Sequence, residues 1–145
     1  MKILVICSAN RLRSPMFAAI LRYYLPGDHV ITSAGFSTRK WRLTGYKALP
    51  EAIESVLSVT NGAINLDDHR ATPIELFNLR EFDLIYNLTK HCHEWMESNQ
   101  INHTNIVLDD PYDMATQTVD LEKHRKCVEN IVLEVSRIVA EITST

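Results

Sequence analysis

One stretch limits what this chain can become. Lys2-Ile3-Leu4-Val5-Ile6 is a short apolar, β-branched-rich run that fits a buried strand. Shortly after it, Phe17, Ile20, Leu21 and Tyr24 recur at helical spacing, with Ser14 placed to cap the helix and Pro15 at a favoured first helical position. Between them runs Cys7-Ser8-Ala9-Asn10-Arg11-Leu12-Arg13-Ser14-Pro15, a loop joining a central strand to a helix N-terminus. Such a loop turns backbone N–H groups and the positive end of a helix dipole into one small space. Here that space also holds a thiol and, six residues on, a guanidinium.

The spacing suits a tetrahedral anion. Five residues between Cys7 and Arg13 are enough for the backbone to curl with its amides facing inward. Arginine offers a planar fork for two anion oxygens, which a lysine cannot copy. The reactive form of a cysteine is the thiolate, and a helix N-terminus rich in N–H donors favours it. Asn10 suits a left-handed turn inside the curl, and the Ser14 hydroxyl can donate to the sulfur. A bare cysteine and arginine six apart is a weak pattern, and a buried structural cysteine is its commonest origin. Placement after a strand and before a helix, with Ser-Pro following, makes it specific.

The rest of the chain alternates. His29–Ser33 reads as a second strand ending at Gly35, and 36–46 as a long basic loop around Trp41 at the rim of the site. Leu49–Val59 is helical with Ile53, Val56 and Leu57 on one face, and Asn61-Gly62 stops it. Thr72-Pro73 opens a short helix through Leu79. Phe82–Leu88 is a third strand, Lys90–Ser98 a helix, and Asn105–Leu108 a fourth strand delivering Asp109-Asp110-Pro111-Tyr112. Val128, Ile131, Val132, Val135, Ile138, Val139 and Ile142 then trace an amphipathic helix of five or more turns. Strands alternating with helices predict one α/β domain over residues 1–145, a parallel sheet covered on both faces. Ligands in such sheets bind at the carboxyl ends of strands. Cys7 and Asp110 both follow strands there, so one cleft can hold both.

Cys7–Pro15 resembles the phosphate-binding loop of the low-molecular-weight protein tyrosine phosphatases. Ser33-Ala34-Gly35, His69-Arg70-Ala71 and Asp110-Pro111-Tyr112 fall in that family's order and approximate spacing. The resemblance implies a four-stranded parallel sheet in 2-1-3-4 order with helices on both faces. It implies hydrolysis of a phosphomonoester through a phosphocysteine. Cys7 is then the nucleophile, Arg13 the phosphate arginine and Asp110 the general acid, with Ser8, Ala9, Asn10, Arg11, Leu12, Arg13 and Ser14 forming the loop. Asp109 becomes a solvated neighbour. Trp41 and Tyr112 could flank a flat leaving group. No metal or cofactor is expected, because Arg13 and the loop amides supply the positive charge. The substrate is a phosphotyrosine protein or a small phosphomonoester. The sequence departs from the family's usual pattern at Ala9 (usually glycine), Leu12 (a second cysteine), Thr89 (aspartate) and Asp113 (an aromatic).

Two alternatives use the same residues differently. An arsenate reductase on this fold would relay a disulfide through further cysteines, and only Cys92 and Cys127 remain, far apart in sequence. A non-enzymatic phosphate-binding or phosphocarrier module would need neither Asp110 nor Arg13. Lys90-His91-Cys92-His93, with His103 nearby, invites a metal reading, but His91 and His93 point to different sides of a helix and no second ligand pair has recognisable spacing. A net charge of −3 gives no basic footprint for nucleic acid or an anionic membrane. Apolar runs are too short to span a bilayer, and the first residues lack a secretory pattern. Three cysteines without framework spacing point to a reducing cytoplasm.

Overall fold

The computed structural model describes residues 1–144. Its centre is a four-stranded sheet in the order β2-β1-β3-β4, every pairing parallel. The strands are β1 (Lys2–Cys7), β2 (Val30–Gly35), β3 (Leu84–Asn87) and β4 (Thr104–Asn105). In β1 every residue from Ile3 to Cys7 is buried, which explains its unbroken apolar run. Ile3 and Val5 face one layer of core with α1 (Arg13–Tyr24), α2 (Pro50–Val59) and α4 (Leu121–Thr143). Leu4 and Ile6 face the other, where Cys92 and Met96 of α3 (Lys90–Ser98) pack. The period of two along the strand thus assigns the two layers.

The register places the site. Cys7 pairs with Gly35 at the end of β1, so the Cys7 loop leaves the sheet beside the end of β2. Gly35 is needed for this approach: a Cβ there would collide with Thr38 Oγ1 and press on the Ser8 carbonyl. Phe36 and Ser37 donate backbone hydrogen bonds to the Cys7 and Ser8 carbonyls, at 2.8 and 2.9 Å. The first turn of the rim loop is thereby stitched to the Cys7 loop.

Several boundaries differ from the sequence reading. Helix α1 begins at Arg13 with Leu12 as its N-cap, so Ser14 and Pro15 lie inside the first turn. Ser14 does not cap because its hydroxyl is engaged by Cys7 and Asn10. Strand β2 starts at Val30, and β3 is only Leu84–Asn87. The expected helix from Thr72 to Leu79 is two single 3-10 turns, Ile74–Leu76 and Leu79–Glu81. The fourth strand is Thr104–Asn105 rather than Asn105–Leu108, because β3 ends at Asn87. Ile106 and Leu108 still donate to the Asn87 and Leu88 carbonyls. A hairpin of β5 (Tyr112–Asp113) and β6 (Thr118–Val119) was not foreseen. It leads into α4, capped by Asp120, which accepts from the Glu122 and Lys123 amides.

Candidate active site

The Cys7 loop is held by a chain of buried polar contacts centred on Asn10. Asn10 has φ +63°, the left-handed conformation that asparagine tolerates, and lets the loop reverse direction. Its amide N–H points at Cys7 Sγ at 3.3 Å. Its side-chain Nδ2 donates to Ser14 Oγ at 2.8 Å and to Ser33 Oγ at 2.9 Å, while Oδ1 accepts from the Thr72 amide at 2.8 Å. Ser14 Oγ lies 2.9 Å from Cys7 Sγ. Because Asn10 already donates to that oxygen, its own O–H is free to point at sulfur, with the Ala34 carbonyl a distant second acceptor at 3.4 Å. The geometry thus aims two hydrogen-bond donors at the sulfur.

Other segments fix the loop from outside. His69 Nε2 lies 2.7 Å from the Asn10 carbonyl, which can only accept, so the ring donates. Burial lowers the His69 pKa, with Arg22 and Arg70 adding to the shift, so the neutral ring is favoured. Thr38 Oγ1 donates to the Ala9 carbonyl at 2.8 Å. Arg11 Nε donates to the Lys47 carbonyl at 2.8 Å, and the guanidinium sits 5.2 Å from the Tyr46 ring centre. Sequence reasoning gave His69 no role and did not find Ser33, Thr38 or Thr72. Ser33 and His69 fall in the triplets Ser33-Ala34-Gly35 and His69-Arg70-Ala71, whose mechanics a sequence cannot show, while Thr38 and Thr72 lie outside both.

Arg13 and Asp110 meet across the cleft. The Arg13 side chain is 7% exposed, and its Nη1 donates to the Leu108 carbonyl at 2.9 Å. Its Nη2 lies 3.3 Å from Asp110 Oδ2, while the Asp110 side chain is 44% exposed. Arg13 also lines the cleft, where a guanidinium can take two oxygens of an anion. Asp110 Oδ1 also accepts from the Tyr112 amide at 3.0 Å, which fixes the carboxylate over the loop. Asp109, one residue earlier, is exposed and does not line the cleft.

The cleft has a volume of about 220 Å³. Cys7, Ala9, Arg11, Leu12 and Arg13 form its floor, with Asp110 at one side. Trp41, Leu43, Leu49, Tyr112, Met114 and Gln117 complete its lining. Trp41 and Tyr112 thus both line this cleft. Leu43, Leu49, Met114 and Gln117 were missed; the last two come from the turn of the unforeseen hairpin. The remaining cysteines, Cys92 and Cys127, are buried, and burial pushes each thiol up to about 12.

A thiol and a guanidinium cradled at the carboxyl edge of a parallel sheet define an α/β protein built to bind a phosphate-like anion. The model of the low molecular weight phosphotyrosine protein phosphatase family matches residues 2–144, and the chain belongs to that family. A curated protein of Ralstonia solanacearum, named a probable low molecular weight protein-tyrosine-phosphatase, EpsP, is 41% identical over 83 residues. That match covers 57% of this chain and only about half, 52%, of the relative's length. Among solved structures, a low molecular weight protein tyrosine phosphatase from T. tengcongensis superposes with a TM-score of 0.77 at 24% identity, covering 97% of this chain and 99% of that one. An arsenate reductase in its phosphate-binding state superposes with a TM-score of 0.70 at 23% identity, covering 97% and 98%. At these identities the two structures share this chain's fold.

Proposed function

We propose that the chain is a phosphomonoester hydrolase, protein-tyrosine-phosphatase-like, that works through a phosphocysteine on Cys7. The observation that carries this is the meeting of three groups in one cleft: Cys7 Sγ under two donors, the Arg13 fork, and the Asp110 carboxyl 3.3 Å from that fork. The thiolate of Cys7 attacks phosphorus in line with the leaving oxygen. The S–P bond forms as the ester P–O bond breaks, and the electron pair leaving on oxygen takes the proton of Asp110. Arg13 and the loop amides hold the equatorial oxygens and the charge that gathers on them. Water then attacks phosphorus, giving its proton to Asp110, and the thiolate leaves with its electron pair. Trp41 and Tyr112 bracket a flat leaving group, which supports an aryl ester such as phosphotyrosine over a phosphate on a slender alkyl chain. No helix among the described residues is long and apolar enough to cross a membrane. With three free thiols, a reducing compartment such as the cytoplasm suits the chain.

The reductase reading uses the same first step but needs a second thiolate to resolve a covalent arsenic adduct. Cys92 and Cys127 are buried with thiols raised to about 12, which argues against either as that partner. One experiment separates the readings. With p-nitrophenyl phosphate and a phosphotyrosine peptide, metal-free protein should release phosphate catalytically. With arsenate and thioredoxin-type reductant it should consume no reducing equivalents. Arsenate-dependent oxidation without phosphate release would overturn the proposal in favour of the reductase. Phosphate binding without turnover would leave a carrier module.

A further inference from the structure

We infer that the edge of the sheet away from β2 carries a divalent-metal site, made by His93, Glu97 and His103, which takes zinc. The three are separated in sequence and brought together by the fold. His93 and Glu97 are four residues apart on α3 and share one of its faces. His103 lies on the return from α3 to β4, just before Thr104, whose pairing with Tyr86 fixes that segment to the sheet. Each side chain offers one ligand atom, and the three atoms all lie within 4.8 Å of one another. His93 Nδ1 is 2.8 Å from His103 Nε2 and 4.0 Å from the Glu97 carboxylate.

The orientation of the rings suits a metal as well as a hydrogen-bonded pair. His103 Nδ1 lies 2.8 Å from the Ile101 carbonyl, an oxygen that can only accept, so Nδ1 carries the proton and Nε2 presents a lone pair. A backbone carbonyl that holds one imidazole nitrogen protonated is the usual outer support of a metal-bound histidine. His93 Nδ1 faces that lone pair, with ring planes 63° apart and centroids 5.0 Å apart, so the rings meet edge-on rather than stacked. What lies between the two nitrogens is the proton on His93 Nδ1, and a zinc ion can take its place as that proton passes through solvent to Nε2 of the same ring. At zinc–nitrogen distances of about 2.0–2.1 Å in a tetrahedral site, two ligand nitrogens stand roughly 3.3 Å apart, so the pair must open by only about half an ångström. Glu97 supplies the third ligand, and solvent at the half-exposed rings the fourth. The support is firm: Thr89 caps α3 through the Cys92 amide, and Cys92 and Met96 anchor the helix in the core. Zinc would clip the far end of α3 to the start of β4, away from the Cys7 loop.

The test is a calorimetric zinc titration of chelator-treated Cys7→Ser protein, which removes the reactive thiol as a competing ligand. The expected result is one equivalent bound with a midpoint on the order of micromolar and a rise in melting temperature. His93→Ala and His103→Ala in that background should each weaken zinc at least roughly tenfold, with circular dichroism unchanged. His91→Ala, on another side of α3, should change nothing. If either histidine variant fails to fold, Glu97→Gln decides, since that side chain is exposed: weakened binding supports the site and unchanged binding overturns it. No saturable binding below about 100 μM, or binding indifferent to His93 and His103, overturns the proposal.

Discussion

Asn10 does most to shape the Cys7 loop. Its backbone aims one N–H at sulfur, its side chain turns Ser14 toward the same atom, and its two carbonyl oxygens tie the loop to His69 and Thr72. Residue type and conformation agree: only glycine, asparagine and a few others sit comfortably at φ +63°. That much was legible in the sequence, as was the pairing of Cys7 with Arg13, because spacing on a short loop dictates it. The choice between Asp109 and Asp110 rested on resemblance alone, since adjacent carboxylates are chemically equivalent until the backbone orients them. In the folded chain Asp110 faces Arg13 and Asp109 faces solvent. Asp110→Asn should therefore slow hydrolysis of phenyl esters by roughly 10²–10⁴, the usual worth of a general acid, and by less for leaving groups that need no proton. Asp109→Asn should cost little. Steady-state kinetics with phenyl and nitrophenyl phosphates checks both, and a larger loss at Asp109 would reassign the acid.

Elements with a strong period were read correctly and short ones were not. Helix α3 runs over Lys90–Ser98 as expected, and Val56, Ile131, Val135 and Ile138 are buried as their spacing required. The fourth strand slipped because a parallel edge strand is defined by its neighbour's length, and β3 stops at Asn87. The hairpin of Tyr112–Asp113 with Thr118–Val119 escaped because two-residue strands carry no period. The junction between elements at Gly35 is the tightest point of the site. Any side chain there must displace Thr38, and with it the hydrogen bond from Thr38 to the Ala9 carbonyl. Gly35→Ala should destabilise the fold by about 1–3 kcal/mol and depress turnover beyond what stability explains. Urea unfolding paired with kinetics at a temperature where the variant is folded reads both effects; unchanged kinetics would detach the rim loop from the site.

At the scale of the molecule, a sheet covered on both faces brings Cys7 and Asp110, about a hundred residues apart, to one edge, and leaves a half-buried histidine, His69, and a buried one, His124, outside the chemistry. Burial lowers the pKa of both His69 and His124, the latter against α2, where Ser55 Oγ lies 2.8 Å from its Nε2 and Glu51 partly offsets the shift. Between their folded pKa values and the ordinary value of about 6.5, the unfolded chain binds more protons than the folded one. Their contribution to stability is thus complete above about pH 6.5 and lost as pH falls below it. Urea midpoints should drop between pH 7 and 5, and less so in His124→Gln; a flat or rising profile would contradict the assignment. The parallel sheet was legible in the alternation of strands and helices, and its 2-1-3-4 order only through the family resemblance. The zinc-ligand cluster was not, since it depends on how α3 returns to β4. The most direct test of the phosphatase account is a rapid-quench single turnover of wild-type protein with p-nitrophenyl phosphate, followed by peptide mapping. The account predicts a burst of nitrophenol equal to the enzyme and one phosphoryl group on the Cys7 peptide, both absent in Cys7→Ser. Turnover with no phosphorylated Cys7, or turnover retained by the serine variant, would contradict it.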